Sequence, residues 1–528
     1  MNFSTVQEEP TEKTVAPVRR AGILRNSFWS GLEITLNVVC TALLSIAVAR
    51  VMGPELLGHF VYLSFLAGIA NKFADLGTAT AARKYMAEYL ACGQMGLARN
   101  VFFTTLWMQT ALAVVVLAVG ILLAVNFVDP PFRLVACILV SAIVPGLLTS
   151  VPSQANMAAA NYARNVPGAV AGLVAYTLVT ILSLVCGWGL VGLATAVFLR
   201  RAVELIVRLV PAVAWMSSQP KEKSPEALYH KLLAFSGYAL AISAVVMVVN
   251  DRSELLFLKH FCDVKQVAFY SVAFGLSEYL LNVPQLFSGP IAMDFMADYA
   301  LSKERAGHRA ARALRLVSMI VLPAQLGLAA IGPALIAVAY GRAYLPAIPA
   351  VAVVAVLAIP KAFFWMPSII YKAADRQAIM LRHMVFAAVL NILLDALLIP
   401  RFGMMGAAFA NGTSQSFAVI SMWSKAARLG HLRLQWQAIA RIAGSAIAMS
   451  LLVAIVCALL PAKPAAVTGL VVGVCSYLLF LRLLQGVHHE DGKSLTRIGQ
   501  RRPALLRAGI VRLLSFAGYS EPLSTTEY

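Results

Sequence analysis

Apolar residues in this chain fall in runs of 17 or more, without alternation, separated by short polar stretches. A bilayer core takes about 20 mainly apolar residues per helix, whereas a membrane-spanning strand is about ten residues long and alternates. The pattern predicts an all-α polytopic membrane protein with about fourteen transmembrane helices. They are placed at 27–49, 56–79, 101–126, 134–155, 166–186, 188–213, 232–250, 266–290, 316–339, 346–370, 383–399, 404–423, 442–460 and 465–483. The sixth is unusual in carrying Arg200, Arg201 and Arg208. Met1–Gly22 is polar and mixed in charge, and the run after it is too long for a signal-peptide core. It reads as a first helix that stays in the membrane.

Composition agrees with this. Of 528 residues, 60% are hydrophobic and 13% charged, against roughly 25% charged in soluble domains. The formal charge of +19 reports anchoring at one membrane face rather than nucleic acid, because basic residues gather on the cytoplasmic side. With the N-terminus inside, inner segments hold 30 Lys and Arg and outer loops hold eight. Both termini are therefore expected in the cytoplasm. Tails and loops are too short for a soluble domain of about 50 residues or more, so any activity resides within the membrane. The seven cysteines lie mostly in apolar runs with no C-x-x-C pair, which argues against a disulfide framework or zinc site.

The chain divides into an N-tail (1–26), a six-helix bundle (27–215), a linker (216–231), a second six-helix bundle (232–428), helices 13 and 14 (442–484) and a basic tail (485–528). The bundles show weak internal similarity. GLVGLATA (Gly189–Ala196) recurs as GMMGAAFA (Gly403–Ala410), and LGHFVYLSFL (Leu57–Leu66) matches VAFYSVAFGL (Val267–Leu276) in apolar and aromatic pattern at nearly the same offset. Repeats with an even number of spans point the same way and are related by an axis along the membrane normal. Two pseudo-symmetric bundles of this kind frame an alternating-access transporter.

Ionisable residues inside spans each cost about 2.5–3.5 kcal/mol at a helix centre, so they must pair or face water. Lys72 and Asp75 are three apart, and Glu204 is four from both Arg200 and Arg208, spacings that share a helix face. Glu33 lies early in the first span. Glu278, Lys361 and Asp395 have no opposite charge at three or four residues and are stronger cavity candidates, although interhelical pairing would also satisfy them. Arg252 stands at the outer end of the seventh span. Asn37, Asn282 and Asn391 could face a sugar or hydrogen-bond a neighbouring helix.

The chain has no P-loop and no hydrolase, metalloprotease or dinucleotide motif in a fitting context. No catalytic residue, cofactor or metal site is expected, and work must come from an ion gradient, the membrane potential or the substrate's own gradient. Ala82–Leu97 and Thr496–Phe516 mix basic and apolar residues as amphipathic helices on an anionic leaflet do.

ARVMGPELLGHFVYLSF (Ala49–Phe65), FADLGTATAARKYMAEY (Phe73–Tyr89), DVKQVAFYSVAFGL (Asp263–Leu276), VAYGRAYLPA (Val338–Ala347) and LIPRFGMMGAAFA (Leu398–Ala410) occur in that order. With the fourteen-span layout they resemble the polysaccharide transporter (Wzx-type oligosaccharide flippase) family of the MOP flippase superfamily, over residues 25 to 485. The resemblance implies export of an undecaprenyl-pyrophosphate-linked oligosaccharide for O-antigen, capsule or exopolysaccharide assembly. It also implies a central cavity lined by cations, for which Arg50 and Arg252 are the nearest positional matches. Asp75 is a landmark of position. The implied partners are the lipid-linked substrate, membrane lipids, and a polysaccharide polymerase with its glycosyltransferases. A peptidoglycan-precursor flippase or multidrug exporter of the same superfamily remains an alternative, as does a membrane-embedded polymerase, glycosyltransferase or assembly scaffold. A short longest outer loop (Asp251–Lys265) weighs against a polymerase.

Overall fold

The computed structural model describes residues 20–222 and 252–486, together with 236–237, 240 and 244–249. Residues 1–19 of the N-tail, most of the expected seventh span and the amphipathic Thr496–Phe516 lie outside the described residues. No strand occurs among those described.

Long helices follow the apolar runs and break where the sequence provides a reason. α1 (Arg20–Asp75) carries the first two expected spans as one helix, bent at Gly53 (φ 72°, ψ 173°) just before Pro54. Only glycine adopts that backbone readily. α2 (Thr78–Ala91) and α3 (Met95–Phe127) follow. The fourth span is two helices, α4 (Arg133–Ser141) and α5 (Ile143–Ala158). α6 (Val166–Cys186) and α7 (Gly189–Ser217) complete a first group.

The second group opens with the short α8 (Glu254–Phe261), then α9 (Val264–Leu301) and α10 (Lys303–Leu335). The tenth span is again divided, into α11 (Ile348–Leu357) and α12 (Trp365–Ala373), around the 3-10 turn Pro360–Phe363. Pro360 opens this turn, a position where its missing amide hydrogen costs nothing, and the turn carries Lys361. α13 (Gln377–Phe402), α14 (Met404–Leu429), α15 (Trp436–Leu459) and α16 (Ala462–Leu483) close the chain.

Nine stretches of the described residues are long and apolar enough to cross a membrane, against fourteen expected. α1 merges two expected spans into one stretch. α7 dilutes its apolarity with four charges, and α14 does so with Asn411, Thr413, Ser414, Gln415 and Ser416. The outward faces are lipid-like: Leu122, Val185, Leu451 and Val467 are all exposed, as required of side chains whose solvent is hydrocarbon.

Ala82–Leu97 departs from expectation. Its helix runs from Thr78 to Ala91 and ends before α3 starts at Met95. Ala81, Ala82 and Met86 are fully buried against Phe102, Val151 and Met216. The apolar face thus packs on α3, α5 and α7 rather than on lipid, while Arg83 and Lys84 stay exposed. Amphipathicity fixes which face is apolar; it does not choose between lipid and protein as the partner.

The two groups meet where α1 lies along α9, in a core that includes Val48, Ala49, Leu57, Val267, Tyr270 and Ala273. At the end holding Arg50 the groups are closed on one another. The Tyr344 hydroxyl donates to the Ala49 carbonyl (3.1 Å), Arg50 Nη1 donates to the Val338 carbonyl (3.3 Å), and Lys265 pairs with Glu55 (3.6 Å). Gly58 makes this closure possible, because a Cβ there would collide with the Val264 carbonyl. Gly58→Val is therefore expected to hold the two helices apart. In a protein with cysteines at positions 55 and 265, it should slow disulfide cross-linking markedly; unchanged cross-linking would show that this contact does not control the closure.

Candidate functional site

In the second group, α9 presents Tyr270, Phe274 and Glu278 at four-residue spacing, one stripe of a helix. Glu278 Oε2 accepts a hydrogen bond from Lys361 Nζ at 2.9 Å. The Lys361 ammonium lies 5.1 Å from the centroid of the Phe274 ring, and the Arg252 guanidinium lies 5.6 Å from the same ring. Both distances are within cation–π range. Tyr270, Phe274, Glu278 and Lys361 border a small cavity of about 10 Å³, also lined by Ser277, Asn411 and Gln415. It has room for about one water molecule.

On the other side of Tyr270 lies a second cluster. The Tyr270 hydroxyl donates to Glu254 Oε1 at 2.7 Å, and both residues are fully buried. Asn391 and Asp395, one turn apart on α13, are also fully buried, and Asn391 Oδ1 accepts from the Ser253 hydroxyl at 3.0 Å. Glu254 Oε2, both carboxylate oxygens of Asp395 and Asn391 Nδ2 have no hydrogen-bond partner among the described residues. Buried carboxylate oxygens are costly without a donor or counter-ion. Two carboxylates with an amide oxygen suit a proton or a monovalent cation; no group of three or more His, Cys, Asp or Glu residues fit for a metal occurs among the described residues.

The first group disposes of its charges differently. Arg208, 7% exposed, donates to Glu33 (2.9 Å), the Ser153 hydroxyl (2.8 Å) and the Asn165 carbonyl (3.2 Å), and forms an ion pair with Glu204 (2.9 Å). One guanidinium thereby ties α1, α5 and α7 together, using the fork of donors that only arginine offers. Arg201 reaches Glu204 at 3.8 Å, and Arg200 covers the Tyr176 ring at 5.5 Å. Asp75 accepts from Gln109 at 2.7 Å, and Gln109 in turn accepts from Ser150 at 2.9 Å. Lys72 is exposed on the same helix.

The candidate residues thus fall into separate places. Arg252, Glu278 and Lys361 come together around Phe274, and Asn391 and Asp395 come together with Glu254 and Tyr270. Glu33 belongs to the Arg208 network, while Asn37 accepts from Thr41 on its own helix (3.2 Å). Asn282 is half-buried on α9, and Arg50 is part of the closure between the groups. Glu254 was not among the sequence candidates, because its position just after the seventh apolar run assigns it to a loop. The signal available was the apolar ELLFL that it opens.

The fold is similar to several solved transporters. Against the lipid II flippase MurJ in an inward closed conformation the TM-score is 0.68 at 11% identity, covering 87% of this chain and 98% of that one. Against an inward-facing multidrug resistance MATE family transporter of the MOP superfamily it is 0.58 at 15% identity, covering 75% and 95%. Against a MOP superfamily transporter from Pyrococcus furiosus Vc1 it is 0.55 at 16% identity, covering 78% and 95%. Identities this low convey fold alone. No curated protein matches the chain. The sequence pattern of one family does match, from residue 47 to residue 349. With more than half of its length so matched, the chain belongs to the polysaccharide biosynthesis protein family.

Proposed function

We propose that this protein is a flippase that moves a polyprenyl-pyrophosphate-linked oligosaccharide across the bacterial inner membrane for surface polysaccharide assembly. It works by alternating access between its two helix groups, with both termini cytoplasmic, and it makes or breaks no covalent bond. The observation that carries this reading is the pairing of two cations, Arg252 and Lys361, with one aromatic face, Phe274, inside a helical bundle. Arginine and lysine suit phosphate, and an aromatic ring offers a sugar an apolar surface. Lipid is a solvent for the substrate's tail, so only the polar head needs a path.

Energy for the cycle comes from a cation taken up at Glu254 and Asp395. Tyr270 touches Glu254 and sits one turn from Phe274, so occupancy of the carboxylates can bias the Lys361 site through a single helix face.

Inverted vesicles from a strain lacking the protein should fail to translocate the lipid-linked oligosaccharide and should accumulate it on the cytoplasmic leaflet. Normal translocation in that strain would overturn the reading. Lys361→Ala removes a charge-assisted hydrogen bond worth about 1.5–3 kcal/mol. It should slow translocation about tenfold at unchanged membrane abundance.

A further inference from the structure

A groove of about 540 Å³ lies beside the junction of the two helix groups, at the end closed by Arg50. It is walled by α1, α3 and α4 and is separate from both clusters above. Its volume falls within the roughly 300–1,000 Å³ of small-ligand sites. Chemistry along it is sharply divided. His59, Asp129 and Lys259 stand at one end, and the remainder is apolar apart from the Tyr62 hydroxyl. His59 is held in place by stacking on Phe132, with ring centroids 4.1 Å apart.

The groove's length is informative. From His59 to Ala70 the wall advances eleven residues along α1, a rise of about 16 Å at 1.5 Å per residue. That is half of a bilayer core about 30 Å thick, the depth of a single leaflet. At the apolar end a Cβ on Gly120 would come within 2.6 Å of Val140 Cγ1, so α3 and α4 touch there and close the floor. Leu123 and Phe127 on the rim are 50% and 82% exposed, which leaves the side open to hydrocarbon.

We infer that this groove holds one phospholipid with a zwitterionic phosphate–ammonium headgroup, its acyl chain lying along α1 and α3. The headgroup follows from the charges at the mouth. Lys259 offers a cation to the phosphate, and Asp129 offers an anion to the ammonium. A pyrophosphate or a purely anionic headgroup would meet Asp129 with no ammonium to answer it, so the groove is not a seat for the transported lipid. On the orientation proposed above, the lipid belongs to the outer leaflet.

The headgroup also spans the junction. His59 and Asp129 belong to the first helix group and Lys259 to the second. A lipid bound across them prefers the form in which the groups are closed at this end, and a ligand shifts an equilibrium toward the state it binds better. The bound phospholipid is thus a clamp on the outward-opening step.

The full-length protein, reconstituted in vesicles of equimolar phosphatidylethanolamine and phosphatidylglycerol and released into a mild detergent, tests this by native mass spectrometry. Phosphatidylethanolamine should be retained in preference to phosphatidylglycerol. Lys259→Ala should lower its retention about fivefold, the effect of one surface cation on a lipid phosphate. Ala67→Phe, which fills the groove without touching its mouth, should abolish retention; retention in this variant equal to wild type would overturn the inference. So would preferential retention of phosphatidylglycerol or of an added polyprenyl pyrophosphate, or no retained lipid in the wild-type protein. Because the readout is lipid mass rather than translocation, the result stands apart from the test of the transported substrate.

Discussion

Replacing Arg208 with alanine is expected to destabilise the protein by about 3–5 kcal/mol, the usual loss when one partner of a buried ion pair is removed. Glu33 and Glu204 both reach Arg208 at 2.9 Å and would lose the cation that joins them, leaving Glu204 its longer 3.8 Å contact with Arg201. The Ser153 hydroxyl and the Asn165 carbonyl lose a donor as well. Arg208→Lys should recover only part of the loss, since an ammonium cannot span four acceptors on three elements. Converting Glu33 and Glu204 to glutamine in the alanine variant should recover a further part by removing the repulsion. Thermal denaturation of the purified protein measures all of these. A stability within about 0.5 kcal/mol of wild type, the range of ordinary surface substitutions, would mean that the network is incidental.

Asp395→Asn and Glu254→Gln should have the opposite effect on stability. Neither Asp395 oxygen has a hydrogen-bond partner among the described residues, and Glu254 has a partner on one oxygen only. Replacing such a carboxylate with a neutral isostere removes an unpaired charge and should raise the thermal midpoint. Translocation driven by an imposed cation gradient should fall about tenfold or more, within the 5–150-fold range typical of coupling between sites, and should lose its dependence on that gradient. Full gradient-dependent transport in both variants would remove these carboxylates from the coupling step. The contrast in sign separates the two clusters: the same kind of residue supports the fold beside Arg208 and strains it beside Asn391.

The all-helical polytopic class was legible because bilayer thickness imposes a length, and run length survives in a single sequence. The bend at Gly53–Pro54 falls in the gap between the first two expected spans, whereas the expected span 346–370 is divided around Pro360–Phe363. Pairing was less legible. Asp75 accepts from Gln109 on α3, a partner 34 residues away that no helical spacing names. Lys361 and Glu278, 83 residues apart, form a contact that no helical spacing announces. Glu254 was missed for a related reason. Apolarity marks where a helix sits in lipid, whereas burial of a polar residue depends on which elements later fold over it, here α9 and α13.

The bend in α1 has a mechanical consequence. Proline supplies no amide hydrogen at position 54, and the φ and ψ of Gly53 suit no side chain, so the rod is already jointed where the first and second spans meet. Swinging one arm about this joint has one ladder bond fewer to break there. Both arms carry contacts to the second group, Gly58 against Val264 on one and Val48 and Ala49 in the shared core on the other, so the joint lets each follow its own neighbours.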